Sequence, residues 1–207
     1  MIYIGFDYSL NKPAGCILKN GKYSFKFWPL ELDNKSLEKL QIANIYIKNR
    51  QRISPGTNSS EKFRVHIKMA GDLSDIIIND IKKIIKNETV TIGFEGASFN
   101  SGGNSGLQLE GYKYILVEKL GKLYGLENIF IFAPNSIKSV AGCATKDKRG
   151  KDSMIKAFAE KDINHKFREI LKNDPMLLKK KTNFVAGVDD IVDSYFVIET
   201  LRNKEGI

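Results

Sequence analysis

Two acids in this chain close runs of apolar and β-branched residues. Asp7 ends Ile2-Tyr3-Ile4-Gly5-Phe6, and Glu95 ends Thr89-Val90-Thr91-Ile92-Gly93-Phe94. A third acidic group lies near the C-terminus, in Val188-Asp189-Asp190-Ile191-Val192-Asp193-Ser194-Tyr195-Phe196. Asp190 and Asp193 are three residues apart, Asp189 and Asp193 four apart, and on a helix either spacing puts two carboxylates on one face. Ile191, Val192, Phe196 and Val197 around them are apolar, so this helix is expected to pack on a sheet with acids at its inner edge. Buried carboxylates are costly unless compensated. Two of them at about 4 Å repel by roughly 4 kcal/mol at an effective dielectric of 20. A hard divalent cation, Mg²⁺ or Mn²⁺, is the natural compensation, because both take oxygen ligands. Two such ions about 3.5–4 Å apart can activate a water and stabilise the leaving oxygen of an in-line displacement at phosphorus. Taken singly, each acid has a plainer reading. A strand-end acid is often a cap or a solvated loop residue, and Asp-Asp ahead of a helix is often an N-cap well placed on the helix dipole. The combination carries the expectation.

The elements that must position these acids read as α/β. Residues 2–8, 14–19 and 22–28 are expected strands, and Asn20-Gly21 between the second and third is a hairpin turn, since both residues tolerate positive φ. Residues 34–50 read as helical, and 54–60 as a loop by composition. From Ser60 to about residue 86, apolar residues recur at three- and four-residue steps, which predicts a long helix. Residues 89–95 form a fourth strand, 99–106 a Gly/Ser/Asn loop, 107–124 a helix and 129–132 a fifth strand closed by Ala133-Pro134. Helices are expected again at 135–141, 152–160 and 188–203. This succession, three strands in meander order followed by helices alternating with two more strands, predicts an α/β fold with a five-stranded mixed sheet flanked by helices. If the first and fourth strands are parallel neighbours, Asp7 and Glu95 lie side by side beyond their carboxyl ends, where open α/β sheets gather functional groups. There is no internal repeat and no domain boundary, so residues 1–207 are read as one domain.

The charge points to a polyanionic partner. The chain has 207 residues, 33 Lys+Arg against 24 Asp+Glu, and a net charge of +9. Residues 138–181 hold 11 Lys and 2 Arg against 4 Asp and 2 Glu, so most of the excess sits in one segment. Such a segment reads as a surface for phosphates. Within it, Lys146, Lys148, Arg149 and Lys151 form a basic, loop-like cluster expected to contact DNA, and Lys179-Lys180-Lys181 extends it. No stretch approaches the length of a membrane span, which leaves nucleic acid as the better partner. The two cysteines, Cys16 and Cys143, make no spaced metal motif. Residues 1–6 lack a basic leader region, so the expected location is the cytoplasm, including that of a host cell if the protein is viral or from a phage. Gly102-Gly103-Asn104-Ser105-Gly106 lacks the Gly-Lys-Ser/Thr ending of a phosphate-binding loop. His66 and His165 read as surface residues, and Trp28 as packed at the end of the third strand.

Together these pieces resemble the RuvC-like Holliday junction resolvases of the RNase H-like superfamily, with a final helix close to the poxvirus branch. Four stretches carry the likeness, in the family's order: Ile4-Gly5-Phe6-Asp7; Gly93-Phe94-Glu95 with Phe99 and Asn100 after it; Ala133-Pro134-Asn135-Ser136-Ile137-Lys138-Ser139-Val140 on to Gly142 and Lys151; and Asp189-Asp190-Ile191-Val192-Asp193-Ser194. The resemblance implies an RNase H-like fold and a homodimer that nicks both sides of a four-way junction. It implies Asp7, Glu95, Asp190 and Asp193 as metal ligands, with Asp189 open as a substitute for Asp190. It places Lys138 and Lys151 near the scissile phosphate and Phe99 against unpaired bases at the crossover. Residues 30–88 form a longer connection than the compact bacterial members have, and Phe99 stands one residue further from its Glu. The helix at 107–124, apolar on more than one face, is the expected dimer contact.

Overall fold

The computed structural model describes residues 1–54, 57–96, 104–145 and 150–206. Among the described residues its centre is a mixed sheet of six strands, in the order β4 (Tyr46–Ile47), β3 (Lys22–Phe27), β2 (Ala14–Lys19), β1 (Ile2–Asp7), β5 (Val90–Glu95) and β6 (Ile129–Phe132). β1 (Ile2–Asp7), β2 (Ala14–Lys19) and β3 (Lys22–Phe27) form the antiparallel meander. Asn20 and Gly21 make the hairpin turn at φ 50° and 72°, as their side chains allow. β5 (Val90–Glu95) lies parallel to β1 in the register Phe6↔Phe94, and β6 (Ile129–Phe132) lies parallel to β5 at the sheet edge.

The sixth strand corrects the sequence reading. Helix α1 (Asn34–Ile42) stops eight residues short of the expected end at 50 and is followed by β4 (Tyr46–Ile47). Asn44 takes a left-handed conformation at φ 59°, the Ile45 amide bonds the Leu40 carbonyl at 3.1 Å, and the Asn44 amide bonds Gln41 at 2.9 Å. This is a Schellman stop, for which asparagine is second only to glycine. Ile45 then turns into the core, and Tyr46 and Ile47 pair with Lys26 and Phe27.

Alternation along the strands divides the core in two. Ile2, Ile4, Phe6, Val90, Ile92 and Phe94 face α2 (Ser59–Ile85) and α3 (Asn104–Tyr124). The opposite face of the sheet is covered by α7 (Val188–Glu205), backed by α4 (Pro134–Val140), α5 (Lys151–Ala159) and α6 (Lys166–Asn173). α2 opens on a capping box between Asn58 and Glu61, and α4 has Pro134 in its first turn. Between α6 and α7 a short hairpin, β7 (Lys179–Lys180) and β8 (Asn183–Phe184), carries the lysine triplet.

Of the single-residue expectations, Trp28 stands as expected and His165 does not. Trp28 is fully buried just past β3 and donates to Asp80 at 2.9 Å. His165, expected on the surface, is buried: its ring meets Phe25 edge-on and its Nδ1 caps α6 by accepting from the Phe167 amide at 3.1 Å. The run of charged residues around it in sequence hides this role. His66 is half-buried, with its Nδ1 3.3 Å from the Tyr112 hydroxyl. Among the described residues, no helix is long and apolar enough to cross a membrane.

Candidate metal centre

Three features of the sequence bring the acids to one place. First, Asp7 and Glu95 are the last residues of adjacent parallel strands, one step beyond the last registered pair, Phe6↔Phe94. Second, both point to the α7 face, because they stand two residues after Gly5 and Gly93, which lie under that helix. Third, those glycines let α7 sit unusually close. A Cβ on Gly5 would stand 2.3 Å from the Ser194 carbonyl, and one on Gly93 would stand 2.7 Å from Val197. Asp190, Asp193, Val197 and Leu201 recur at helical spacing, so the stripe that is apolar over the glycines turns acidic where the strands end. α7 itself begins at Gly187, whose φ of +98° and close approach to the Phe27 ring exclude any side chain.

The result is a compact carboxylate cluster. Oxygens of Asp7, Glu95 and Asp193 all lie within 4.8 Å of one another, and Asp190 stands close enough to Asp7 for its charge to act on it. Burial pushes Asp7 well above the usual carboxylate range, and the charges of Asp190, Glu95, Asp193 and Asp189 push the same way. Asp193 is raised to about 8 by burial, then by Glu95, Asp189 and Asp190. Asp190 is raised to about 6 by burial and Asp189, against the pull of Lys151 and Lys12. Glu95 is raised by burial and held back by Lys138 and Lys113. Acids so placed carry a proton or share a cation. The donor set is all oxygen, which suits a hard divalent ion such as Mg²⁺ or Mn²⁺.

The sequence left Asp189 and Asp190 as alternatives, and the helix separates them. Asp190 turns to Asp7, whereas Asp189 forms an ion pair with Lys151 at the start of α5. Lys138, on α4, is near enough for its charge to act on Glu95. Two lysines escaped the sequence reading. Lys12 follows Asp7 by five residues, on the loop leaving the same strand end, and that proximity was a usable signal. Lys113 sits in the apolar run of α3, where nothing local marks it. It is 1% exposed and donates to the Glu95 carbonyl at 3.0 Å. Phe99, Asn100, Lys146, Lys148, Arg149 and the Gly102-Gly103 pair lie outside the described residues.

No family model matches this sequence, and no curated protein does. Solved structures do resemble it. T. thermophilus RuvC, in complex with a Holliday junction substrate, superposes with a TM-score of 0.51 at 10% identity, over 99% of this chain and 96% of that one. The yeast mitochondrial Holliday junction resolvase Ydc2 gives a TM-score of 0.47 at 14% identity, over 96% of this chain and 76% of that one. The chain thus has the RNase H-like fold of RuvC, with a mixed α/β sheet flanked by helices.

Proposed function

We propose that this chain is a divalent-metal-dependent endonuclease that resolves four-way (Holliday) or branched DNA by paired nicks. The observation that carries this reading is the convergence of Asp7, Glu95, Asp190 and Asp193 at the carboxyl ends of β1 and β5, under the first turns of α7. Likeness in fold to RuvC, whose structure holds a Holliday junction substrate, and the basic segment 138–181 support it.

In this reading Asp7, Glu95, Asp190 and Asp193 hold Mg²⁺ or Mn²⁺, with two ions fitting the number of carboxylates. A bound divalent ion supplies Lewis-acid activation of water and of the scissile phosphate. The chain's own cations then do the docking. Lys151 leaves Asp189 for a phosphate oxygen, Lys138 approaches from the Glu95 side, and each offsets charge that grows on the phosphate as the water attacks. Lys146, Lys148 and Arg149 extend the phosphate-binding surface, and Phe99 stacks on unpaired bases at the crossover. The products carry 5′-phosphate and 3′-hydroxyl ends. The partner is a second copy of the chain, in contact through α3, which keeps Tyr114 and Leu123 exposed while Tyr112, Leu116 and Leu120 are buried. Two-fold symmetry then matches the two strands to be cut. The cytoplasm remains the proposed place of action.

The test is cleavage of a labelled synthetic four-way junction, beside linear duplex, RNA/DNA hybrid and single strand, in Mg²⁺ and in EDTA, for wild type and Asp7→Asn. Paired nicks confined to the junction, lost in EDTA and in the variant, are expected. Equal cutting of linear substrates points to a general nuclease of the same fold, and binding without cutting to an inactive junction-binding protein.

A further inference from the structure

Lys113 is charged, deeply buried and placed where an apolar residue would be cheaper. It follows the buried Tyr112 on α3 and precedes the buried Leu116 by three residues. Removing an ammonium from water costs several kcal/mol, and replacing a buried ion pair with apolar side chains is often neutral or stabilising. The charge is met by Glu110 at 2.6 Å, one turn back on the same helix. Its second partner is the main-chain carbonyl of Glu95, at 3.0 Å.

That carbonyl belongs to the peptide joining Glu95 to Gly96, just past the point where the β1–β5 ladder stops. The N–H of the same peptide donates to the Phe132 carbonyl on β6 at 2.8 Å. The peptide is therefore held from both sides, by β6 through its N–H and by α3 through its C=O. A peptide so fixed sets the direction of the Cα–Cβ bond of Glu95, and with it the aim of the carboxylate. Lys113 also opposes the rise in the Glu95 pKa, so its charge reaches the carboxylate as well as the carbonyl.

We propose that Lys113 is a positioning residue: by clamping the Glu95–Gly96 peptide to α3, it aims the Glu95 carboxylate at the divalent-ion site. This rests on the metal-dependent reading given above.

Lys113→Met alone leaves Glu110 without its partner, so the decisive variant is Lys113→Met/Glu110→Gln, which removes both charges. Lys113→Arg, which keeps charge and donors, is the rescue. Three quantities are measured for each: melting temperature in EDTA, the rise in melting temperature on adding Ca²⁺, and kcat with junction affinity. The double variant is expected to melt within a few degrees of wild type in EDTA and to bind the junction within about twofold. Its Ca²⁺-induced rise shrinks, and its kcat falls between about tenfold and a hundredfold, the scale of a misplacement of about 1 Å. Lys113→Arg regains part of both. A Ca²⁺ response larger than wild type would make Lys113 merely a charge that repels the ion, and would overturn the proposal. So would wild-type kcat in the double variant, or a fall in kcat that only follows loss of stability in EDTA. If wild type itself neither responds to Ca²⁺ nor cuts, the metal-centre reading fails and this inference with it; if wild type does both and the double variant matches it, this inference alone fails.

Discussion

Asp193→Asn should stabilise the metal-free protein while removing its response to metal. Burial and the neighbouring acids raise Asp193 to about 8, whereas an unfolded aspartate titrates near 3.8. A raised carboxylate pKa means that the folded state holds a proton the unfolded state releases. Stability from this group is full below about pH 4 and is lost as pH rises towards 8. At pH 7 the penalty is about 4 kcal/mol at most, at about 1.4 kcal/mol per pKa unit. Asparagine has no such proton to lose, but as a buried amide it forfeits part of the gain. A net gain of about 2 kcal/mol is expected, which for a chain of this size raises the melting temperature by about 4–8 °C. The assay is thermal or urea unfolding in EDTA, for wild type and Asp193→Asn, at pH 5 and pH 7. At pH 5 the advantage should shrink to less than half. Adding Mg²⁺ at pH 7 should then stabilise wild type by about 2.7 kcal/mol at a hundredfold excess over its Kd, and the variant by much less. A variant less stable than wild type in EDTA at pH 7 would refute the reasoning about the cluster. An equal Mg²⁺ response would refute the assignment of Asp193 to the metal.

Gly5→Ala should destabilise the fold by more than about 3 kcal/mol, at the upper end for overpacking, because the new Cβ meets the Ser194 backbone and not a side chain that can swing away; urea unfolding measures this, and surviving Gly5→Ala protein should show a weaker Mg²⁺ response, since α7 is pushed off the strand ends. Lys151→Ala breaks an ion pair whose lysine is largely exposed, so stability should move by less than about 1 kcal/mol. Junction affinity should become less dependent on salt, the slope of log K against log salt falling by about 1, as expected for one lost phosphate contact; an unchanged slope would remove Lys151 from the DNA interface.

Much of this architecture is written in local patterns. The β1 and β5 runs, the Asn20-Gly21 turn, the three- and four-residue spacing of α2 and the Asp-x-x-Asp pair of α7 each declare themselves within a few residues, because strand alternation, turn chemistry and helical periodicity are local properties. Gly5 and Gly93 show a more hidden signal. Each stands two residues before a strand-end acid, and in the sheet that spacing puts the closest approach of α7 and the acids on the same face. The boundary at Ile42 was also legible, in Asn44, but the helical pattern to residue 50 outweighed it until the core took Ile45.

The sequence by itself determined which residues are acids at strand ends, which helix carries the paired carboxylates and where the basic charge concentrates. It did not determine which of Asp189 and Asp190 turns to the cluster. The two are adjacent, about 100° apart around the helix, and only the seating of α7 on the glycines decides which faces Asp7 and which is left to Lys151. Nor did it single out Lys113 among so many lysines, because a lysine's role here depends on what lies within a few ångströms of its ammonium. That distance is set by loops and helices far apart in the chain, and it exists only once the sheet, α3 and α7 have packed together.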